Sequence, residues 1–215
     1  GIPLVMAYRQ TSTGSFLPNG WKLPQSMQEE TGVIFASAFP GLNNMAKETQ
    51  RYYRSQALTE KIQTLENLLA ELSIDDQKLR SKLEAELAKH RQELKDLDYT
   101  FDRRFIFQIL SMGHSQFAES IGARGPNTSV NAACATTTQA IGLAEDWIRT
   151  GRARRVIVVA GDEVTDENLA GWIGTGLFAS GAASTQSDLR QAVLPFDKRR
   201  NGMIMGMGAA ALEVE

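Results

Sequence analysis

The chain has 215 residues, of which 42% are hydrophobic and 22% charged, and its formal net charge is −2. These values argue against a general nucleic-acid binder, which carries a basic excess, and no apolar run approaches the roughly 18 residues of a membrane span. One cysteine and two histidines exclude an internal disulfide framework and a cysteine-cluster metal site, and they make a reducing cytoplasm the expected compartment.

The opening Gly1-Ile2-Pro3 has no basic n-region and reads as the start of a fragment rather than a signal peptide. Residues 1–30 carry Pro3, Pro18 and Pro24 and the turn-like Pro18-Asn19-Gly20, so they are expected to be mostly irregular. Gly32-Val33-Ile34-Phe35-Ala36-Ser37 is short, apolar and partly β-branched, and ends near Pro40-Gly41. It reads as a buried strand.

No Gly or Pro occurs between Gly41 and Gly113. Leu58, Ile62, Leu65, Leu69 and Leu72 step by three and four, and Leu79, Leu83, Leu87, Leu94 and Leu97 form a second stripe. His90 occupies the position missing from that second stripe, as a polar residue tolerated in a seam. This is the pattern of a narrow coiled-coil seam. Ser73 and Asp76, between the stripes, resemble a cap at a new helix start. The expected object is an antiparallel helical hairpin with arms of about 22 and 34 Å.

The remainder is rich in glycine and alternates strands with helices. Thr128-Ser129-Val130-Asn131-Ala132 reads as a strand and Thr136 to Arg149 as a helix stopped by Gly151. Arg155 to Ala160 is a near-continuous apolar strand of the kind covered on both faces, which completes a βαβ crossover. Gly202 to Gly206 and Ala209 to Val214 read as two further strands across a glycine turn. The division is therefore an α/β start at residues 1–46, a helical insertion at 47–100, and an α/β segment at 101–215.

Cys134 falls at the junction of the predicted strand and helix, among small residues: Asn131-Ala132-Ala133-Cys134-Ala135-Thr136. A helix N-terminus presents unpaired N–H groups and a favourable dipole, which stabilise a thiolate and can hold an oxyanion. On these grounds alone Cys134 is either a nucleophile or a small buried hydrophobe.

The stretch Gly122 to Thr136, with Arg124-Gly125-Pro126 leading to Cys134, resembles the active-site segment of β-ketoacyl synthases, the thiolase-fold condensing enzymes. Two further segments fit in order. Gly151-Arg152-Ala153 through Gly161 resembles the family's helix end and next strand. Pro195-Phe196-Asp197-Lys198-Arg199-Arg200-Asn201-Gly202 through Ala209 resembles its P-F-D-x-x-x-D-G-F-x-x-G-E-G-A stretch. The likeness runs from about Gly32 to Glu215, interrupted between roughly Ala46 and Tyr99. It implies the N-terminal half of a thiolase-like α/β fold: a mixed sheet covered by helices, carrying an inserted antiparallel helical hairpin.

Asn201 stands where the family pattern has Asp, and Met207 where it has an acidic residue. The family's two catalytic histidines belong to a C-terminal half that these residues do not include. Neither His90 nor His114 has the context to replace them, and His114 reads as a structural residue on a helix before the R-G-P element.

The resemblance implies that Cys134 takes an acyl chain from a carrier-protein or coenzyme A thioester. A malonyl-type thioester then loses CO₂ and its carbanion attacks the acyl-cysteine, in fatty-acid or polyketide synthesis. It implies no metal and no cofactor in the chain, since the phosphopantetheine arm comes with the acyl carrier protein. It also implies a homodimer through the strand leading to Cys134.

By position, Phe39 and Phe178 match the family's acyl-tunnel lining, or are ordinary core aromatics. Glu163, Asp166 and Glu167 read as a solvated loop and helix start. Two alternatives stay open: a thiolase-fold relative that only transfers acyl groups or only decarboxylates, and a non-catalytic module whose hairpin binds a partner. The insertion suggests a large multidomain synthase with a lateral contact through residues 58–97.

Overall fold

The computed structural model describes all of the chain except residues 73–75, 106, 108–109, 111 and 168. Two compact units emerge, Gly1–Asn43 together with Ile106–Glu215, and Asn44–Phe105.

The first unit is organised by strand β3 (Thr31–Ala36), in which Ile34 and Ala36 face one side and Val33 and Phe35 the other. Helix α5 (Thr136–Arg149) covers the first side, packing Ala140, Ala144 and Trp147 against Ile34, Ala36, Val156 and Val158. Helix α4 (Gly113–Ile121) covers the other, where Ala118 and Ile121 meet Val33 and Leu23. Burial on both faces is why β3 carries the apolar run Val33 to Ala36.

The sheet has the order β4-β3-β5-β6, with β4 spanning Asn127–Val130, β5 Arg155–Glu163 and β6 Met207–Val214. Strands β4 and β5 run parallel to β3, and β6 is antiparallel to β5. The expected βαβ crossover is present, and it passes over β3, which lies between its two strands. Thr150 caps α5 and Gly151 follows at φ +72, the left-handed conformation that glycine favours at a helix end.

Several expectations are corrected. Residues 1–30 are not irregular: β1 (Val5–Gln10) and β2 (Phe16–Lys22) pair antiparallel, and a one-turn helix α1 (Gln25–Gln28) follows. Pro18-Asn19-Gly20 is no turn between elements. Met6 pairs with Trp21 and Tyr8 with Pro18, so Asn19 and Gly20 oppose the single residue Ala7, with Gly20 at φ +87. A bulge in a two-stranded ribbon absorbs turn-type residues that would break a central strand.

The strand toward Cys134 stops at Val130, two residues early. At the chain's end one strand forms, not two. Met203 makes only an isolated bridge to Ala183. Helix α6 (Ala170–Ala179) and the short α7 (Leu189–Ala192) fill the segment between β5 and β6.

The second unit contains helices α2 (Leu42–Glu71) and α3 (Gln77–Leu97), about 45 and 31 Å long. The first arm is twice the expected length because, without Gly or Pro, the helix continues well upstream of the leucine stripe. Cross-links run in opposite order along the two arms: Tyr99 Oη donates to Glu48 at 2.8 Å, Arg91 to Glu66 at 2.6 Å, and Arg80 to the Leu69 carbonyl at 3.4 Å. The helices are therefore antiparallel.

Leu58 and Leu87 are buried, and most other stripe leucines are half-buried, as a seam covered on one side requires. His90 fills its seam position, 16% exposed, with Glu86 and Glu93 beside it. Asp76 caps α3 by accepting from Leu79 N–H, while Ser73 lies outside the described residues.

Candidate active site

The three parallel strands end on one edge of the sheet, the edge where ligands of open α/β sheets bind. There the chain turns sharply from β4 into α5. Ala133 adopts φ +50, uncommon for a residue with a Cβ, and Ala133–Ala135 form a single 3₁₀ turn that carries Cys134 at the surface. Such strain persists only where neighbours fix it. Asn131 Oδ1 accepts from the Ala133 N–H at 3.1 Å. The buried Thr136 hydroxyl donates to the Ala133 carbonyl at 2.6 Å and accepts from the Ala132 N–H at 2.9 Å. The small residues around Cys134 are thus the ones a tight strand-to-helix turn can hold.

Cys134 opens onto a cavity of about 640 Å³, wide open to solvent and walled mainly by apolar and small residues. Its walls come from four places: Ala36 to Phe39 after β3, the Cys134 turn, Ala160 to Asp162 at the end of β5, and the start of β6. The structure therefore brings Phe39 and Cys134 to one cavity. It does not bring Phe178 there: that ring lies on α6, 59% exposed.

His114 is in the first turn of α4. Asn201 donates to the Gln191 carbonyl at 3.0 Å and accepts a short hydrogen bond from Ser184, so it ties the loop before β6. Met207 begins β6 and lines the cavity. Among the described residues no cluster of three or more His, Cys, Asp or Glu could hold a metal ion, and no helix is long and apolar enough to cross a membrane.

Two polar residues at this edge escaped sequence reading. Asp162, at the end of β5, accepts from Ser37, Ala38 and Phe39. Asn131, directly after β4, donates to the Ala38 carbonyl at 3.0 Å as well as holding Ala133. The available signal was positional: each is a polar residue just where a parallel strand ends.

The R-G-P element has a plain structural reason. Gly125 lies so close to Thr31 that an added Cβ would stand 2.5 Å from the Thr31 carbonyl oxygen. Arg124 N–H donates to the Gln28 carbonyl, and the Pro126 carbonyl accepts from Val33 N–H. The element threads the entry to β4 against β3.

The structure thus sets a thiol on a strained strand-to-helix turn, at the carboxyl edge of a parallel sheet and above an apolar cavity. Residues 81–215 match the family model for the β-ketoacyl synthase N-terminal domain, and the chain belongs to the β-ketoacyl synthase family. It is 37% identical over 107 residues to 3-oxoacyl-[acyl-carrier-protein] synthase 2 of Staphylococcus aureus, covering 50% of this chain and 26% of that protein. It is also 37% identical over 111 residues to 3-oxoacyl-[acyl-carrier-protein] synthase I, chloroplastic, of Hordeum vulgare, covering 51% and 23%. The chain spans about a quarter of the length of these relatives.

The crystal structure of a β-ketoacyl synthase from Burkholderia phymatum STM815 superposes with a TM-score of 0.51 at 18% identity. That match covers 88% of this chain and 36% of the other, and extends the shared fold beyond the segment matched in sequence.

Proposed function

We propose that the protein carrying this chain is a condensing transferase of fatty-acid or polyketide synthesis, with Cys134 as its acyl-accepting nucleophile. The observation that carries the reading is the exposed Cys134 on its strained turn, facing the apolar cavity within the family-matching segment. In the proposed reaction the Cys134 thiolate attacks an acyl thioester, the carrier or coenzyme A thiol leaves, and an acyl-cysteine forms. A malonyl-type thioester loses CO₂, and its carbanion attacks the acyl carbonyl and releases Cys134.

The backbone N–H of Cys134 is one oxyanion donor in this scheme. Residues outside the chain supply enolate stabilisation and the second donor. The acyl carrier protein or coenzyme A brings the phosphopantetheine thioester, and the proposed reaction asks for no metal or further cofactor. Phe39 borders the acyl chain. Phe178 does so only if α6 is covered by further protein. The expected compartment is the cytoplasm.

Two assembly proposals go with this reading. Strand β4 stands at the edge of the described sheet with one side unpaired, which suits a homodimer formed through the strand leading to Cys134. The Asn44–Phe105 unit, with its charged outer faces, suits a lateral contact through residues 58–97.

Incubation of the full-length protein with an acyl thioester tests the reading. Mass spectrometry should find the acyl group on Cys134, and Cys134→Ala should abolish both acylation and condensation. Because Cys134 is exposed, that substitution should leave the melting temperature nearly unchanged. Condensation at the unaltered rate in Cys134→Ala overturns the proposal.

A further inference from the structure

A continuous chain of hydrogen bonds links Asp162 to the turn that carries Cys134. Asp162 Oδ1 accepts from Ser37 Oγ at 2.6 Å and from Phe39 N–H at 2.9 Å, and Oδ2 accepts from Ala38 N–H at 2.9 Å. The Ala38 carbonyl is held in turn by Asn131, whose other amide atom holds Ala133 beside Cys134. The loop bearing Phe39 is therefore gripped from β5 on one side and from the end of β4 on the other. A carboxylate accepting from two successive main-chain N–H groups and a hydroxyl makes strong, directional bonds. The same loop and turn both line the cavity above Cys134.

We propose that Asp162 and Asn131 are positioning residues: they fasten the Phe39 loop to the Cys134 turn and so set the length of alkyl chain the cavity admits beside the thiol. The inference takes Cys134 as the reactive thiol and in that respect rests on the function proposed above. Asp162→Asn replaces one acceptor oxygen with an amide that cannot accept, leaving at least one donor of the loop unmatched. Asn131→Ala frees both the Ala38 carbonyl and the Ala133 N–H. Phe39 then loses its fixed place in the cavity that Cys134 also lines.

The test is the rate at which Cys134 in the full-length protein reacts with N-methyl-, N-hexyl- and N-dodecylmaleimide. In Asp162→Asn and Asn131→Ala the ratio of dodecyl to methyl rates should change by about tenfold, the size expected for losing one charge-assisted hydrogen bond at Asp162 or two neutral ones at Asn131. In Asp162→Asn the methyl rate should stay within about twofold, because Asp162 bonds the Phe39 loop and not the Cys134 turn, and a small probe does not meet that loop. Ser37→Ala, which removes one bond and adds no donor, should move the ratio in the same direction by less; it carries the test if Asp162→Asn fails to fold.

An unchanged ratio in Ser37→Ala and in the folded members of the other two overturns the inference. Labelling needs only the thiol, so a failure of thioester acylation in the unaltered protein counts against the condensing reaction alone. The maleimide ratio still decides the role of Asp162 and Asn131.

Discussion

Gly125 and Thr31, 94 positions apart, meet so closely that a Cβ on residue 125 would lie 2.5 Å from the Thr31 carbonyl oxygen and 2.7 Å from its carbon. Both groups are backbone at the junction of β3 and β4, so neither can swing away. Gly125→Ala should destabilise the protein by about 1–3 kcal/mol, the usual cost of overpacking. Gly142 is the control: it sits in α5, and a Cβ added there would meet nothing within 4 Å. Gly142→Ala should stabilise by about 0.5–1 kcal/mol through helix propensity. Denaturant melts of the two variants check both signs together.

Asp197 in the Pro195-to-Gly202 stretch follows Phe196, which is fully exposed at φ +66. The Arg199 guanidinium grips the Asp197 carboxylate at 2.9 and 3.1 Å, and the Arg199 N–H adds a third bond at 2.8 Å. These bonds hold the Asp197 carboxyl below the ordinary aspartate range, the side-chain bond most of all. A depressed folded-state value means that the stabilisation is present above the unfolded pKa and lost as pH falls through the folded one. The melting temperature of the parent protein should thus exceed that of Asp197→Asn near pH 6, and the gap should close on acidification below about pH 4. A gap independent of pH would show that the carboxylate charge is not what holds the turn.

The 215-residue chain by itself should not condense substrates. It supplies a thiol and a cavity, while Asn131, Thr136 and Asp162 are used in holding backbone. Proton transfer and enolate stabilisation each contribute orders of magnitude to rate. Purified chain mixed with acyl and malonyl thioesters should form no β-ketoacyl product above the uncatalysed level by mass spectrometry. Robust product formation would require catalytic groups within these residues.

How much of this was legible in the sequence follows from how far apart the interacting residues lie. β3, β5 and α5 were legible because burial on both faces of β3 leaves an apolar run, and because the helix on it places Ala140, Ala144 and Trp147 on one face. Cys134 was legible as a junction residue through its small neighbours and the family motif. The β1–β2 ribbon was not, since Pro18 and Gly20 read as breakers and only pairing with β1 turns them into a bulge. Helix α6 was legible only as a helix start near Asp166 and Glu167, and its course was obscured by Gly171, Gly174 and Gly176, which it tolerates in its interior. Asp162 and Asn131 were invisible for a different reason. Their partners at Ser37 to Phe39 lie on a different strand's loop, and local patterns carry no trace of a bond across 93 to 125 positions.

In the Asn44–Phe105 unit, Leu58 and Leu87 are the most buried of the seam leucines, at 4% and 8% exposure. Each arm alone would expose its stripe, so neither should remain helical without the other. Leu87→Ala should cost about 2–3 kcal/mol, lowered from the full core value because the seam is open on one side. Circular dichroism should show the helical signal melting earlier in that variant, in a separate step from the sheet unit.

Removing the seam altogether asks what the unit is for. Among its described residues, the interactions assigned to the Cys134 cavity come from outside it: Ala36 to Phe39, Asn131, Thr136 and Asp162 all belong to the other unit. Replacing residues 58–97 with a short loop in the full-length protein should therefore leave acylation of Cys134 within about twofold of the parent, by the additivity of independent sites. The charged outer faces of α2 and α3 suit a polar contact with another protein surface, so the deletion should lower the mass of any higher-order assembly measured by light scattering. If acylation collapses while the assembly is unchanged, the helical unit serves the reaction at Cys134 and the lateral-contact proposal is wrong.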